Sequence, residues 1–238
     1  MTSIPYPLLA LISVAIFSLV HMYAEKIRTL EMLSQRRFLS LGGGIAIAYV
    51  FIDLLPKLGE SNQWVERIFS GFFPYVERHV FVTALLGFLL FFCIDRVPSG
   101  WLMKEKFTLA LCSYALFNFF VGYAVVNKNN PDVQPLLLFT IAMALHYFTN
   151  DYSLCESHGE AYRKTGRWVL IASLVLGWVV GLAIHLSETA VALVGAFIGG
   201  GVIMNVTRHE LPAGKENSVG TFVVSAAAYT AILLAIGA

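Results

Sequence analysis

Leu41–Leu58 reads LGGGIAIAYVFIDLLPKL, and Ala196–Pro212 reads AFIGGGVIMNVTRHELP. In each segment three glycines are followed nine residues later by an acid, Asp53 or Glu210, and then by leucine and proline. Two distant apolar stretches of one chain therefore share a design. Internal duplication of this kind is the trace of a repeat architecture, and in apolar sequence it points to a protein that moves something across a bilayer.

The surrounding composition sets the solvent. Of 238 residues 58% are hydrophobic and 13% charged, with a mean hydropathy of +0.72, more apolar surface than a soluble domain buries. Stretches long enough to cross a bilayer lie near 6–24, 38–56, 79–97, 106–127, 134–152, 168–185, 188–206 and 218–237. The expectation is an all-α integral membrane protein of eight transmembrane helices, with residues 1–238 forming a single polytopic membrane domain whose main partner is the lipid bilayer.

Basic residues orient the chain, because cationic loops stay in the cytoplasm. The loops after the first, third, fifth and seventh spans hold twelve of the sixteen Lys and Arg residues, and the opposite side holds Lys57, Arg67, Arg78 and Lys128. Both termini are then extracytoplasmic, in a plasma or bacterial inner membrane. The second and seventh spans run in opposite directions, so the two glycine-acid-proline copies are antiparallel, as in inverted-repeat transporters. A net charge of +1 gives no case for nucleic acid.

With those residues in place, Leu41–Leu58 resembles the second helix of the ZIP (Zrt/Irt-like protein) metal transporters and Ala196–Pro212 resembles their seventh. The resemblance implies inverted repeats, helices 1–3 and 6–8, around helices 4 and 5 that carry the metal. It implies a carrier of divalent cations such as zinc, iron or manganese into the cytoplasm, with metal as substrate and no tightly bound cofactor. The fourth helix of that family typically reads H-N-x-x-E-G, whereas Phe117-Asn118-Phe119-Phe120-Val121-Gly122 keeps only Asn and Gly. The fifth reads H-x-x-x-E-G, and here His146 is kept while Asn150 and Asp151 take the acid and glycine positions. The expected transport site is therefore an altered one: His146, Asn150, Asp151 and Asn118. Residues 146 and 150 share a helical face, with 151 one step round. The bland alternative for His146 is a hydrogen bond to Asn118 or Tyr114.

Weaker candidates lie at both ends of the spans. Asp53 sits at the outer mouth, among loop acids and bases. On the cytoplasmic side Cys155, His158, His209 and Glu210 are ligand-type residues, as are His21 and Glu25 at the end of the first span. Cys155-x-x-His158 has metal-ligand spacing but lacks a second pair. Cys93 and Cys112 read as small apolar packing residues. The stretch 57–78, with Trp64, Ile68, Phe69 and Phe72, suggests an amphipathic piece at the outer interface. Asn127 to Asp132 forms a turn signal.

An enzyme is not expected, because no H-E-x-x-H or H-x-x-x-H pair exists, and the glycine triplets lack the Lys-Ser/Thr tail of a phosphate loop. Two readings remain open: a metal transporter with a degenerate site, or a ZIP-fold protein that lost metal transport and serves as a sensor, scaffold or carrier of another solute. Small residues along Ala226–Ala228 and 195–201 permit close helix contact within one chain or in a homodimer.

Overall fold

The computed structural model describes residues 6–29, 32–69, 79–96, 103–126, 133–210 and 218–237, and among them only helices and short connections occur. The helices are α1 (Tyr6–Tyr23), α2 (Met32–Tyr49), α3 (Leu55–Phe69), α4 (His79–Asp95), α5 (Met103–Ala124), α6 (Val133–Ala161), α7 (Arg167–Ala183), α8 (Glu188–Asn205) and α9 (Val219–Gly237). Among the described residues six helical runs are long and apolar enough to cross a membrane: Tyr6–Lys26, Arg37–Asn62, Lys104–Ala124, Leu136–Ala183, Glu188–Arg208 and Val219–Ile236; the apolar helix His79–Asp95 is shorter. The expected turn at Asn127–Asp132 lies outside the described residues.

The bundle is built for lipid. Leu11 and Leu19 on α1, Leu85 and Leu86 on α4, Leu176 on α7 and Val224 on α9 are all exposed, while Ser13, His21, Asn118, His146, Asn150 and Asp151 are buried. Apolar side chains outside and polar ones inside are the arrangement a hydrocarbon solvent selects. Cys93 and Cys112, read from the sequence as packing residues, are on the exposed surface; a thiol is apolar enough to face lipid.

Leu136–Ala183 spans 48 residues, which as one straight helix would measure about 72 Å, more than twice the hydrocarbon thickness. It is not straight. Gly159 takes φ 42°, a conformation that costs glycine little, and a π-turn at Tyr162–Gly166 follows it. The chain then returns, so that α6 and α7 both pack on α1.

The largest helix interfaces are α4 with α8, α5 with α7, and α2 with α9. Glycine sets their closeness. A methyl group on Gly200 would lie 1.8 Å from the Ala84 carbonyl oxygen across the α4–α8 interface, and one on Gly44 would lie 2.4 Å from the Phe222 carbonyl oxygen across α2–α9. One glycine of each triplet thus lets two backbones touch, the small-residue contact on which helices in lipid depend.

Both triplet helices also end in a π-turn: Val50–Leu54 after α2, and Val206–Glu210 after α8. Each turn precedes a proline by two residues, Pro56 and Pro212. Proline lacks the N–H for the next helical bond and crowds the carbonyl four residues back, and a wider turn at that point gives it room. At Pro56 the helix survives the proline. The second span was expected to end there, but the chain continues helically as α3 to Phe69. The proposed interfacial piece at 57–78 is therefore helical up to Phe69; the side chains from 63 onward and the segment 70–78 lie outside the described residues.

Replacing Gly200 by Ala should lower stability by about 1–3 kcal/mol, because the obstacle is backbone that cannot rotate away. Gly59, whose Cβ position meets nothing within 4 Å, should tolerate Ala with no loss and a gain of up to about 1 kcal/mol from helix propensity. Unfolding of the purified protein in detergent measures both; equal effects would contradict the close-contact account.

Candidate functional site

A buried polar network links α1, α5, α6 and α8. Asn118 Nδ2 donates to the Tyr114 carbonyl oxygen at 2.8 Å, which turns its Oδ1 toward His21. His21 Nε2 lies 2.8 Å from that oxygen, so Nε2 carries a proton and donates it. On the other edge of the ring, Nδ1 lies 2.6 Å from Asp151 Oδ2. With Nε2 already committed as a donor, the pair holds one further proton between Nδ1 and the carboxylate, a short charge-assisted contact. Both side chains have 0% exposure. Removing water strengthens such a pair and makes its separation costly.

Neighbouring rings and hydroxyls fix the geometry. The Tyr147 ring stands 4.7 Å from the His21 ring, and Phe17 packs edge-on to Tyr147 at 5.3 Å. Tyr162, in the turn between α6 and α7, donates to the His21 carbonyl oxygen at 3.3 Å. Tyr114 donates to Asn205 Oδ1 on α8 at 3.1 Å. Among the described residues, several buried atoms on one stretch of α6 lack a hydrogen-bond partner: the Tyr147 hydroxyl, both side-chain polar atoms of Asn150, and Asp151 Oδ1. Buried polar groups are normally satisfied, and three residues on adjacent turns left partly unsatisfied mark a place suited to a polar guest.

Two clefts flank this stretch. One, of about 190 Å³, is lined on α5 as far as Tyr114 and on α6 from Ser153 onward. The other, of about 240 Å³ and largely apolar, is lined on α5 by Ala124 and on α6 up to Met143. The intervening nine residues on each helix, about 14 Å, contain Phe117, Asn118, Val121, His146, Tyr147, Asn150 and Asp151. Phe117 packs edge-on against Phe91 at 5.9 Å and stands 5.8 Å from the His146 ring. Both positions that resembled lost ligands, Phe117 and Val121, belong to the main apolar core.

The four expected transport-site residues are thus all buried in the same layer. The hydrogen bonds join Asn118 and Asp151 through His21 rather than through His146. His21 was expected at the cytoplasmic surface with Glu25, yet it is 1% exposed. Its position inside the first span was the available signal, since ionisable groups within apolar spans are rare and usually functional. What hid it was its place in the last turn of that span, where polar residues are ordinary.

The outlying candidates separate. Asp53 sits in the π-turn after α2 and pairs with Lys57 at 2.7 Å. Cys155 is fully buried in an apolar cluster with Leu111, Leu154, Tyr162 and Leu170, whereas His158 reaches the 190 Å³ cleft with its ring 5.0 Å from that of Phe107. The side chains of His209 and Glu210 lie outside the described residues. Among the described residues no group of three or more His, Cys, Asp or Glu side chains is placed to hold a metal ion.

No protein-family model matches the chain, and no curated protein matches it significantly.

His21→Ala should destabilise the protein by about 3–5 kcal/mol, because Asp151 is left buried without its partner. The double variant with Asp151→Ala should cost less than the sum of the two single changes. A double-mutant cycle of unfolding in detergent checks this, and additive losses would show that the two side chains do not act as a pair.

Proposed function

We propose that the chain is a ZIP-like membrane transporter that carries a divalent cation through the layer around Asp151 and Asn150. The observation that carries the reading is positional: a buried carboxylate, its histidine partner and unsatisfied amide and hydroxyl groups lie between two clefts at opposite ends of α5 and α6. Asp151 supplies the charge, and Asn150 supplies a neutral oxygen beside it. A dication here takes over from His21 as the counter-charge of the carboxylate, which meets the requirement that a buried ion be paired.

The architecture supports this reading in three ways. Leu136–Ala183 counts as two crossings once its return at Gly159 is recognised, and His79–Asp95 supplies another, which makes eight. Pairing the second helix of each half with the third of the other, α2 with α9 and α8 with α4, is what an inverted repeat would produce. The remaining pairs follow the same exchange, α5 with α7 and α6 with α1. Finally, the two triplet helices share a π-turn at matching positions, and such turns concentrate at functional sites.

A second reading rests on Phe117 and Val121, whose apolar side chains fill the centre of the bundle. Under it the fold has given up metal and serves as a sensor, scaffold or carrier of a different solute. Reconstituted vesicles separate the two. The transporter reading predicts uptake of at least one of Zn²⁺, Fe²⁺ and Mn²⁺, with the initial rate reduced about tenfold or more by Asp151→Asn and unchanged by Gly59→Ala. No flux of any of the three by the wild type would leave the second reading.

A further inference from the structure

The 190 Å³ cleft lies among α4, α5, α6 and α8, beyond the buried network and joined to it through Tyr114 and Asn205. It exceeds the cavity of roughly 150 Å³ that accommodates a benzene molecule, so it has room for a small solute. Its lining mixes apolar side chains, such as Phe91 and Met204, with polar ones. Asp95 is the carboxylate on its wall, and that carboxylate is neutralised by Arg208 at 2.7 Å. Lys106, Ser157 and His158 also line it, and among the described residues no hydrogen bond or ion pair engages any of the three. Asn205 commits its oxygen to Tyr114 and keeps an amide nitrogen with no acceptor. The Asn205 amide nitrogen and the Lys106 ammonium can only donate.

We infer that this cleft is a binding site for a small anion bearing carboxylate or phosphate oxygens, held by the Lys106 ammonium with Ser157 and His158 as hydrogen-bond donors. An ammonium, a hydroxyl and an imidazole N–H are the groups that recognise such oxygens, and charge-assisted bonds to them are the strong ones. A cation would meet Lys106 and find the cleft's carboxylate already taken. The site shares no side chain with the Asp151 and Asn150 layer assigned to the cation, although the cleft borders that layer.

Isothermal titration calorimetry on the full chain in nonionic detergent tests it, with succinate, inorganic phosphate and short-chain phosphatidic acid as probes and the dication putrescine as the control. Saturable binding of at least one anion and none of putrescine is expected. Binding of succinate or phosphate identifies a water-borne ligand; binding of phosphatidic acid alone identifies a lipid headgroup. Lys106→Gln should weaken the bound probe about tenfold or more, as loss of a charge-assisted bond implies, while Lys106→Arg keeps it. Ser157→Ala, at an exposed position that folding does not need, should weaken it by a few fold. The assignment fails if no anion saturates, if putrescine binds as well, or if Lys106→Gln leaves affinity unchanged.

Discussion

The contact between His21 and Asp151 constrains the rest of the molecule. An ionisable pair inside a bundle whose outer face is apolar has no water to fall back on, so every remaining hydrogen-bonding position must be met by protein or by a guest. That requirement draws α1 and α6 together at the pair, brings Asn118 of α5 to the far side of the ring, and holds the turn after α6 against the end of α1 through Tyr162. Four segments from both halves of the chain meet at one histidine.

Close backbone contact is the complementary device. Where the polar network organises the centre, glycines organise the flanks: Gly122 and Gly177 let α5 and α7 meet almost backbone to backbone, and Gly44 and Gly200 do the same for α2–α9 and α4–α8. In lipid there is no hydrophobic drive between helices, and packing of small residues supplies the association instead. Helices so joined present their larger side chains elsewhere. On the inner side this yields the layer of Phe91, Phe117 and Tyr147 that separates the two clefts.

The two clefts differ in kind. The larger one is walled by residues such as Tyr49, Phe139, Met143 and Val202; the smaller one has more polar side chains in its wall and connects by hydrogen bonds to the buried pair. Hydrogen-bonding side chains thus lead from the buried pair toward the side of Asp95 and Lys106. On the opposite side the wall is aromatic and aliphatic apart from Lys57, which pairs with Asp53, and Ser61.

What the sequence by itself determined were local properties: where apolar runs are long enough to be helices, where glycines recur, and which residue types lie inside a span. The helices fall on the expected stretches because hydropathy and breakers act over a turn or two, and Asn118, His146, Asn150 and Asp151 stood out because polar side chains in apolar sequence are conspicuous. The tertiary structure decided who meets whom. His21 and Asp151 are 130 residues apart, and no periodicity encodes that distance; the pairing exists because α1 packs on α6. Likewise Pro56 reads locally as a helix end, but a π-turn relieves its clash and the helix goes on. Cys155 and His158 read as one ligand pair, but packing buries the first among leucines and leaves the second at the cleft. In each case the outcome follows from burial and partner geometry, which arise only when distant segments are brought together.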